Sequence, residues 1–417
     1  MTQSRPRASA AGFLISRWRG GEWPASALAL AYLLLAPVAV FASNATVVVL
    51  GLAALLAMPR LTTAGTWLAG LPWPLTAGLA GLHAWALVSA AWAPGEAVVP
   101  ALRLVALSFG GVLLLAAVAG LDHNGRRRVA TAVLVSGSAV LALLVVEILA
   151  GGRISQAIRG FAAPDLDALD RASAILAPWV WPLALGVARR RGWRAAALFF
   201  ITAAATLAVL PMFAAFLGLL IGGLVFLVVR WRPRRALVVL LAAFAVYAAT
   251  APLLSRQVVT LDAVRDSAVV PVSWKHRVGI WEFTANLVAD HPVRGRGLEA
   301  ARVIGADAPK LPDFKWTAMP LHPHNAVLHV WLELGAVGVI LALLALAGTV
   351  AGLHHRTADD PVGRAVAGAS LATFLTIALL SYGAWQNWWL ATAWLVAGAN
   401  ALFLTPPPRS ASGPHPG

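Results

Sequence analysis

The stretch HPHNAVLHVWLELGAVGVILALLALAGTVAGL, residues 322–353, decides the fold. Polar and imidazole side chains end at Asn325, and beyond it only His329, Glu333 and Thr349 interrupt an apolar run that continues to Leu353. About 20 such residues, rising 1.5 Å each as a helix, cross a hydrocarbon layer of roughly 30 Å. Comparable runs fall at 25–42, 44–59, 72–92, 101–121, 129–150, 173–188, 195–210, 212–229, 236–253, 365–384 and 387–404. Together they predict an all-α, polytopic integral membrane protein of about 12 transmembrane helices. A transmembrane β-barrel would instead alternate in segments of about 10 residues.

Composition agrees. Of 417 residues, 60% are hydrophobic and only 12% are charged, too much apolar surface for one water-soluble core. The net charge of +15 does not imply nucleic-acid binding, because the arginines sit in short blocks between apolar runs, as the positive-inside rule describes. With an N-terminal tail carrying Arg5, Arg7, Arg17 and Arg19 on the cytoplasmic side, alternation puts the blocks at Arg60, Arg126–Arg128, Arg189–Arg194, Arg230–Arg235 and 354–364 inside as well. Both termini are then cytoplasmic. No cysteine is present, which excludes disulfides, zinc-thiolate sites and thiol nucleophiles.

Four regions follow: a nine-span bundle over 1–253, a large outer loop over 254–325, a three-span bundle over 326–404 and a disordered cytoplasmic tail over 405–417. The outer loop holds all three lysines, Lys275, Lys310 and Lys315. Within it, SWKHRVGIWEFTANLVADHP reads as an amphipathic interfacial helix, capped by Ser273 and stopped by Pro292, with Trp274, Val278 and Trp281 near one face. In VRGRGLEAARVIGA, Gly295 and Gly297 flank Arg296 and a short helix starts near Leu298. Either this is a tight turn between helices, or its backbone approaches a phosphate. An irregular stretch then delivers His322 and His324 to the outer membrane surface, where His324 or Asn325 either caps the next helix or faces a substrate.

His-Asn at 324–325, then Gly335 and Gly338, preceded by Arg277, Trp281, His291-Pro292 and Gly295-Arg296-Gly297, resembles the signature of the O-antigen ligase and O-antigen polymerase family of bacterial envelopes. The close likeness covers about residues 273–340. The resemblance implies a GT-C-like glycosyltransferase of the bacterial inner membrane, without cofactor or metal ion. Such an enzyme moves a glycan from undecaprenyl diphosphate to a sugar hydroxyl of the lipid A core at the periplasmic face, among membrane lipids. It implies His324 as catalytic residue and Arg277 as a diphosphate contact, with Arg296, Arg294 or Arg302 as a second. Family members carry an arginine where Met212 and Phe213 stand here; Arg103, or Arg153, Arg159 or Arg171, takes its place, or the donor headgroup is held differently.

The chemistry expected is displacement at the anomeric carbon, with arginines stabilising the departing diphosphate and His324 accepting the acceptor's proton. His322 either orients the site or caps the turn. His329 and Glu333, four apart on one helix, are expected to pair; Glu147 and His83 are open candidates, and Trp385, Trp388 and Trp389 read as an interfacial belt. The motifs leave three enzymes open, a ligase, a repeat-unit polymerase and a protein oligosaccharyltransferase. A 12-span transporter or lipid flippase is the reading from another class, for which broken helices and repeats would speak.

Overall fold

The structure is a computed structural model that describes residues 22–59 and 61–404. The predicted N-terminal tail, Arg60 and the tail 405–417 lie outside the described residues. Leucine, alanine and valine dominate the rest, and the described chain is all-α with one isolated β-bridge, Lys310 to Thr317. In chain order the α-helices are α1 (Glu22–Phe41), α2 (Thr46–Leu56), α3 (Leu61–Ala69), α4 (Trp73–Ser89), α5 (Val98–Ala119), α6 (His123–Leu149), α7 (Arg153–Arg159), α8 (Asp170–Arg191) and α9 (Trp193–Val209). They continue as α10 (Phe213–Trp231), α11 (Ala236–Gln257), α12 (Leu261–Val264), α13 (Val272–Asp290), α14 (Ala300–Ala306), α15 (Ala326–Arg356), α16 (Pro361–Leu380) and α17 (Asn387–Phe403).

Each of the twelve apolar runs falls on a helix. Eight described helices are long and apolar enough to cross a membrane: α1, α5, α6, α8, α10, α11, α15 and α16. The other four, α2, α4, α9 and α17, are shorter, at 11, 17, 17 and 17 residues. The chain is thus a polytopic α-helical membrane protein.

It forms two compact units, one from the described parts of Met1–Gly70, Leu107–Pro211 and Ala391–Phe403, the other from Leu71–Ala106, Met212–Leu390 and Leu404. In the first, α1 lies against α6 and α8, with Tyr32 stacked on the buried Trp179 at 6.3 Å and its hydroxyl donating to Leu395 O. The second holds every residue of the site described below. There α4 packs on α15 where Gly78 meets Ala345 and Gly348 meets Leu75, and α10 packs on α16 where Thr373 Oγ1 donates to Gly218 O. Arg364, from a block read as topogenic, is buried and donates to Thr357 O, Thr357 Oγ1 and Pro233 O. The expected tryptophan belt is also corrected: Trp388 and Trp389 are buried, with Trp389 stacked on Phe374 at 4.2 Å.

Two local expectations in the outer loop shift. Helix α13 starts at Val272 with Pro271 as its cap residue, so Ser273 lies in the first turn; proline's fixed φ sets the helical start there. Helix α14 starts at Ala300, after Glu299 takes a left-handed φ of 65°.

A break in α15 organises the second unit. Gly335 has φ 64° and ψ −162°, which interrupts the helical hydrogen bonds. Segment 292–297 fills the gap. Arg296 N–H donates to Leu332 O at 2.8 Å and Gly297 N–H to Glu333 O at 2.8 Å, while Pro292 O accepts from Ala336 N–H at 2.9 Å and Val293 O from Val337 N–H at 3.3 Å. Trp85 Nε1–H donates to Leu334 O at 2.9 Å. The glycines follow from this close approach. A Cβ on Gly295 would overlap the Glu333 carbonyl, and one on Gly335 the Val293 carbonyl. Gly335→Ala combines that overlap with an unfavourable φ and should cost about 1–3 kcal/mol. Thermal unfolding in detergent checks this against Gly51→Ala, where a Cβ meets nothing within 4 Å.

Candidate active site

Asn325 is the cap of α15. Its Oδ1 accepts from Val327 N–H (3.0 Å) and Leu328 N–H (3.1 Å), and its Nδ2 donates to Tyr247 OH (2.9 Å). With 3% of its surface exposed and its amide fully engaged, Asn325 shapes the chain more than it offers contacts. The residue before it is forced into an unusual backbone: His324 has φ 55°, a left-handed conformation uncommon for a side chain of its size.

The ring of His324 is oriented by a backbone carbonyl. Its Nδ1 lies 2.7 Å from Ser381 O, and a carbonyl only accepts, so Nδ1 carries the proton. The Nε2 lone pair is therefore available. Burial pushes the imidazole's pKa down to about 4; the Ser381 bond opposes the shift, and the Arg277 and His276 charges add to it.

His322 supports this arrangement. Its Nδ1 accepts the His324 backbone N–H at 3.2 Å, which leaves the hydrogen of a neutral ring on Nε2. Gln386 Nε2 stands 2.9 Å from that nitrogen while its Oε1 is buried without a partner. Two donors cannot face each other, so the amide is better turned, with Oε1 accepting from His322 Nε2–H. Burial first, then His324, His329 and Arg302, hold the His322 pKa well below the usual histidine range. His322 thus caps the turn that carries His324.

Glu333 and His329 pair as expected, at 3.0 Å. His329 Nδ1 accepts from Ala384 N–H, so Nε2–H donates to Glu333 Oε1. That oxygen also accepts from Ala301 N–H at 3.0 Å, and Oε2 accepts from Glu299 N–H at 2.9 Å and Trp385 Nε1–H at 2.8 Å. The carboxylate is fully buried and has four donors, so it fastens the start of α14 and the turn before α17 to α15. Trp385 belongs to this anchor.

The predicted arginines divide. Arg277 lies over Trp274, 5.1 Å from the ring, and its charge reaches His324. Arg302 is ion-paired to Glu299 at 2.7 Å and acts on His322. Arg296 points elsewhere, held by Asp290 (2.5 Å) and Leu287 O (3.2 Å). Arg294 is exposed, 5.5 Å from the Trp92 ring, and Arg103 is exposed. Arg159 belongs to the other unit, where it donates to Ala168 O and lies over Phe161. Glu147, in that unit too, is buried and accepts from Ser155 Oγ. Met212 is buried, its Sδ facing Tyr382 OH at 3.5 Å. Among the described residues no group of three or more His, Cys, Asp or Glu is placed to hold a metal ion.

Sequence reading missed Ser381, Gln386 and Tyr247, and it missed the part played by His276. Ser381 and Gln386 act from more than fifty residues further along the chain, one of them only through its backbone. This division of labour sets a test. Glu333→Ala strands four donors and should cost roughly 3–5 kcal/mol. His324→Ala should leave the thermal unfolding midpoint in detergent close to wild type.

The family described as O-antigen ligase matches residues 195–343, a region holding Arg277, the loop 292–299, His324 and the break at Gly335. A Rickettsia conorii protein named "Putative polysaccharide ligase" is 27% identical over 57% of this chain and 58% of its own length. A Rickettsia felis protein of the same name is 26% identical over 57% of this chain and 59% of its own. The match therefore spans less than two thirds of these relatives. The signature around His324 and the family match over 195–343 agree: in that region the chain is similar to the O-antigen ligase family.

Proposed function

We propose that the chain transfers a glycan from undecaprenyl diphosphate to a sugar hydroxyl of the lipid A core, at the periplasmic face of a bacterial inner membrane. The single observation that carries this reading is His324, whose Nδ1–H is committed to Ser381 O so that the ring's lone pair lies on Nε2.

In the proposed step the acceptor oxygen attacks the anomeric carbon while the bond from that carbon to the diphosphate oxygen breaks. The leaving diphosphate keeps the electron pair, and the hydroxyl proton passes to Nε2 of His324. Arg277 pairs with the diphosphate as its charge grows, a task that suits a planar guanidinium. A base of low pKa is weak in the free enzyme. A bound diphosphate brings negative charge next to the imidazole, raises its proton affinity and strengthens the base when the donor is present.

His324→Ala should lower transfer about 10²- to 10⁴-fold in a detergent assay with lipid-linked glycan and rough lipopolysaccharide. Near-wild-type transfer by this variant overturns the assignment. The pH dependence has a defined sign. The neutral ring is the active form, so kcat/KM should persist down to about pH 5 and fall as pH drops through about 4. Arg277→Gln removes a nearby cation, so the acid limb should move to higher pH as overall activity falls. An acid limb that stays in place argues against Arg277 acting beside His324.

A further inference from the structure

The loop carries a second constructed feature that the transfer step does not use. Residues 309–318 form a short hairpin: Ala318 N–H donates to Pro309 O at 2.7 Å, Leu311 N–H to Trp316 O at 3.2 Å, and Lys310 bridges to Thr317. Asp313 turns the tip with a φ of 65°. The hairpin is fastened down. Leu311 packs on Gly279 of α13, Asp313 lies 3.6 Å from Arg265, and His276 Nε2–H donates to Thr317 O at 3.0 Å.

This places three rings together. Phe314 and Trp316 are 6.3 Å apart with 32° between their planes, about the separation of rings lying side by side. His276 is nearer to both, at 5.7 Å and 5.1 Å and tilted 34° and 38° to their planes, so the three rings form one cluster. Trp316 is 41% exposed, and Lys310 and Lys315 are exposed beside it, with Lys315 Nζ 5.4 Å from the Trp316 ring. His276 is also the chain neighbour of Arg277 on α13.

We propose that Phe314 and Trp316, clustered with His276, are a glycan subsite on which a pyranose ring of a substrate stacks. This rests on the glycan-transfer reading above. A pyranose has a face of C–H bonds that meets the negative face of an aromatic ring, while its hydroxyl or acidic substituents project to the rim. Lys310 and Lys315, exposed beside the rings, suit phosphate- or carboxylate-bearing sugars. A bilayer anchor needs no fixed backbone around its rings; the fastened hairpin favours a ligand that demands a fixed surface. Donor and acceptor glycans share this chemistry, so the measurement has to separate them.

The test uses the full chain in nanodiscs, with the host's lipid-linked glycan as donor and its rough lipopolysaccharide as acceptor. Trp316→Ala should raise KM for one of the two about three- to tenfold with little change in kcat, Trp316→Phe should restore most of it, and the affected substrate identifies the source. Unchanged KM for both substrates in Phe314→Ala/Trp316→Ala overturns the subsite. Unchanged KM with weakened retention in the bilayer assigns the rings to the membrane interface, which overturns it too. Saturation-transfer NMR with oligosaccharides released from both substrates reads the subsite without turnover. Signal in the wild type that is lost in the double variant supports it even if no glycan is transferred, an outcome that would end the transfer reading alone, and no signal from either oligosaccharide overturns it.

Discussion

A helix broken inside an apolar layer must have its freed backbone groups matched, because an unpaired N–H or carbonyl there costs several kcal/mol. The interruption of α15 at Gly335 imposes this constraint, and segment 292–297 meets it almost group for group. The segment between α11 and α15 is thereby fixed to α15 by main-chain bonds. Glu333, two residues before the break, adds a second fastening through Glu299 N–H, Ala301 N–H and Trp385. The irregular chain from α14 to α15 then has a defined origin and a defined end, the Asn325 cap. His324 stands between them in a backbone conformation that a loose loop would not hold.

The same constraint explains the glycines. Gly295-Arg296-Gly297 invites a phosphate-binding reading, since small residues at a turn allow close approach. What approaches closely is Glu333 and its neighbours in α15, and Arg296 turns back to Asp290. A transporter-like broken helix and a ligand-binding glycine turn are thus two halves of one internal contact.

Much of the architecture was legible because hydropathy and helical rise act locally. Each apolar run fell on a helix, and the His329 and Glu333 pair followed from four-residue spacing. Within the site, His324 and Arg277 were singled out by motif resemblance, and the Arg277 charge is among the influences on the His324 ring. What could not be read depends on distance along the chain. Nothing near Ser381, Gln386 or Tyr247 announces that they meet the 322–325 turn, and Trp385, Trp388 and Trp389 match a lipid-boundary pattern while serving an anchor and an aromatic core. Charge alone likewise failed to sort the arginines, because an ion pair such as Arg296 with Asp290 redirects a guanidinium that composition treats as available.

The partner that orients His324 is the carbonyl of Ser381, which sits at the C-terminal cap of α16. Helix ends leave such carbonyls unsatisfied and partly negative. An imidazole here is therefore steered by the end of a helix, where many enzymes of soluble folds spend a buried carboxylate whose desolvation is expensive. Every amino acid supplies the same carbonyl. The identity of residue 381 is consequently free to change without removing the carbonyl that holds the His324 ring, and the orienting group leaves no trace in the letters of the sequence.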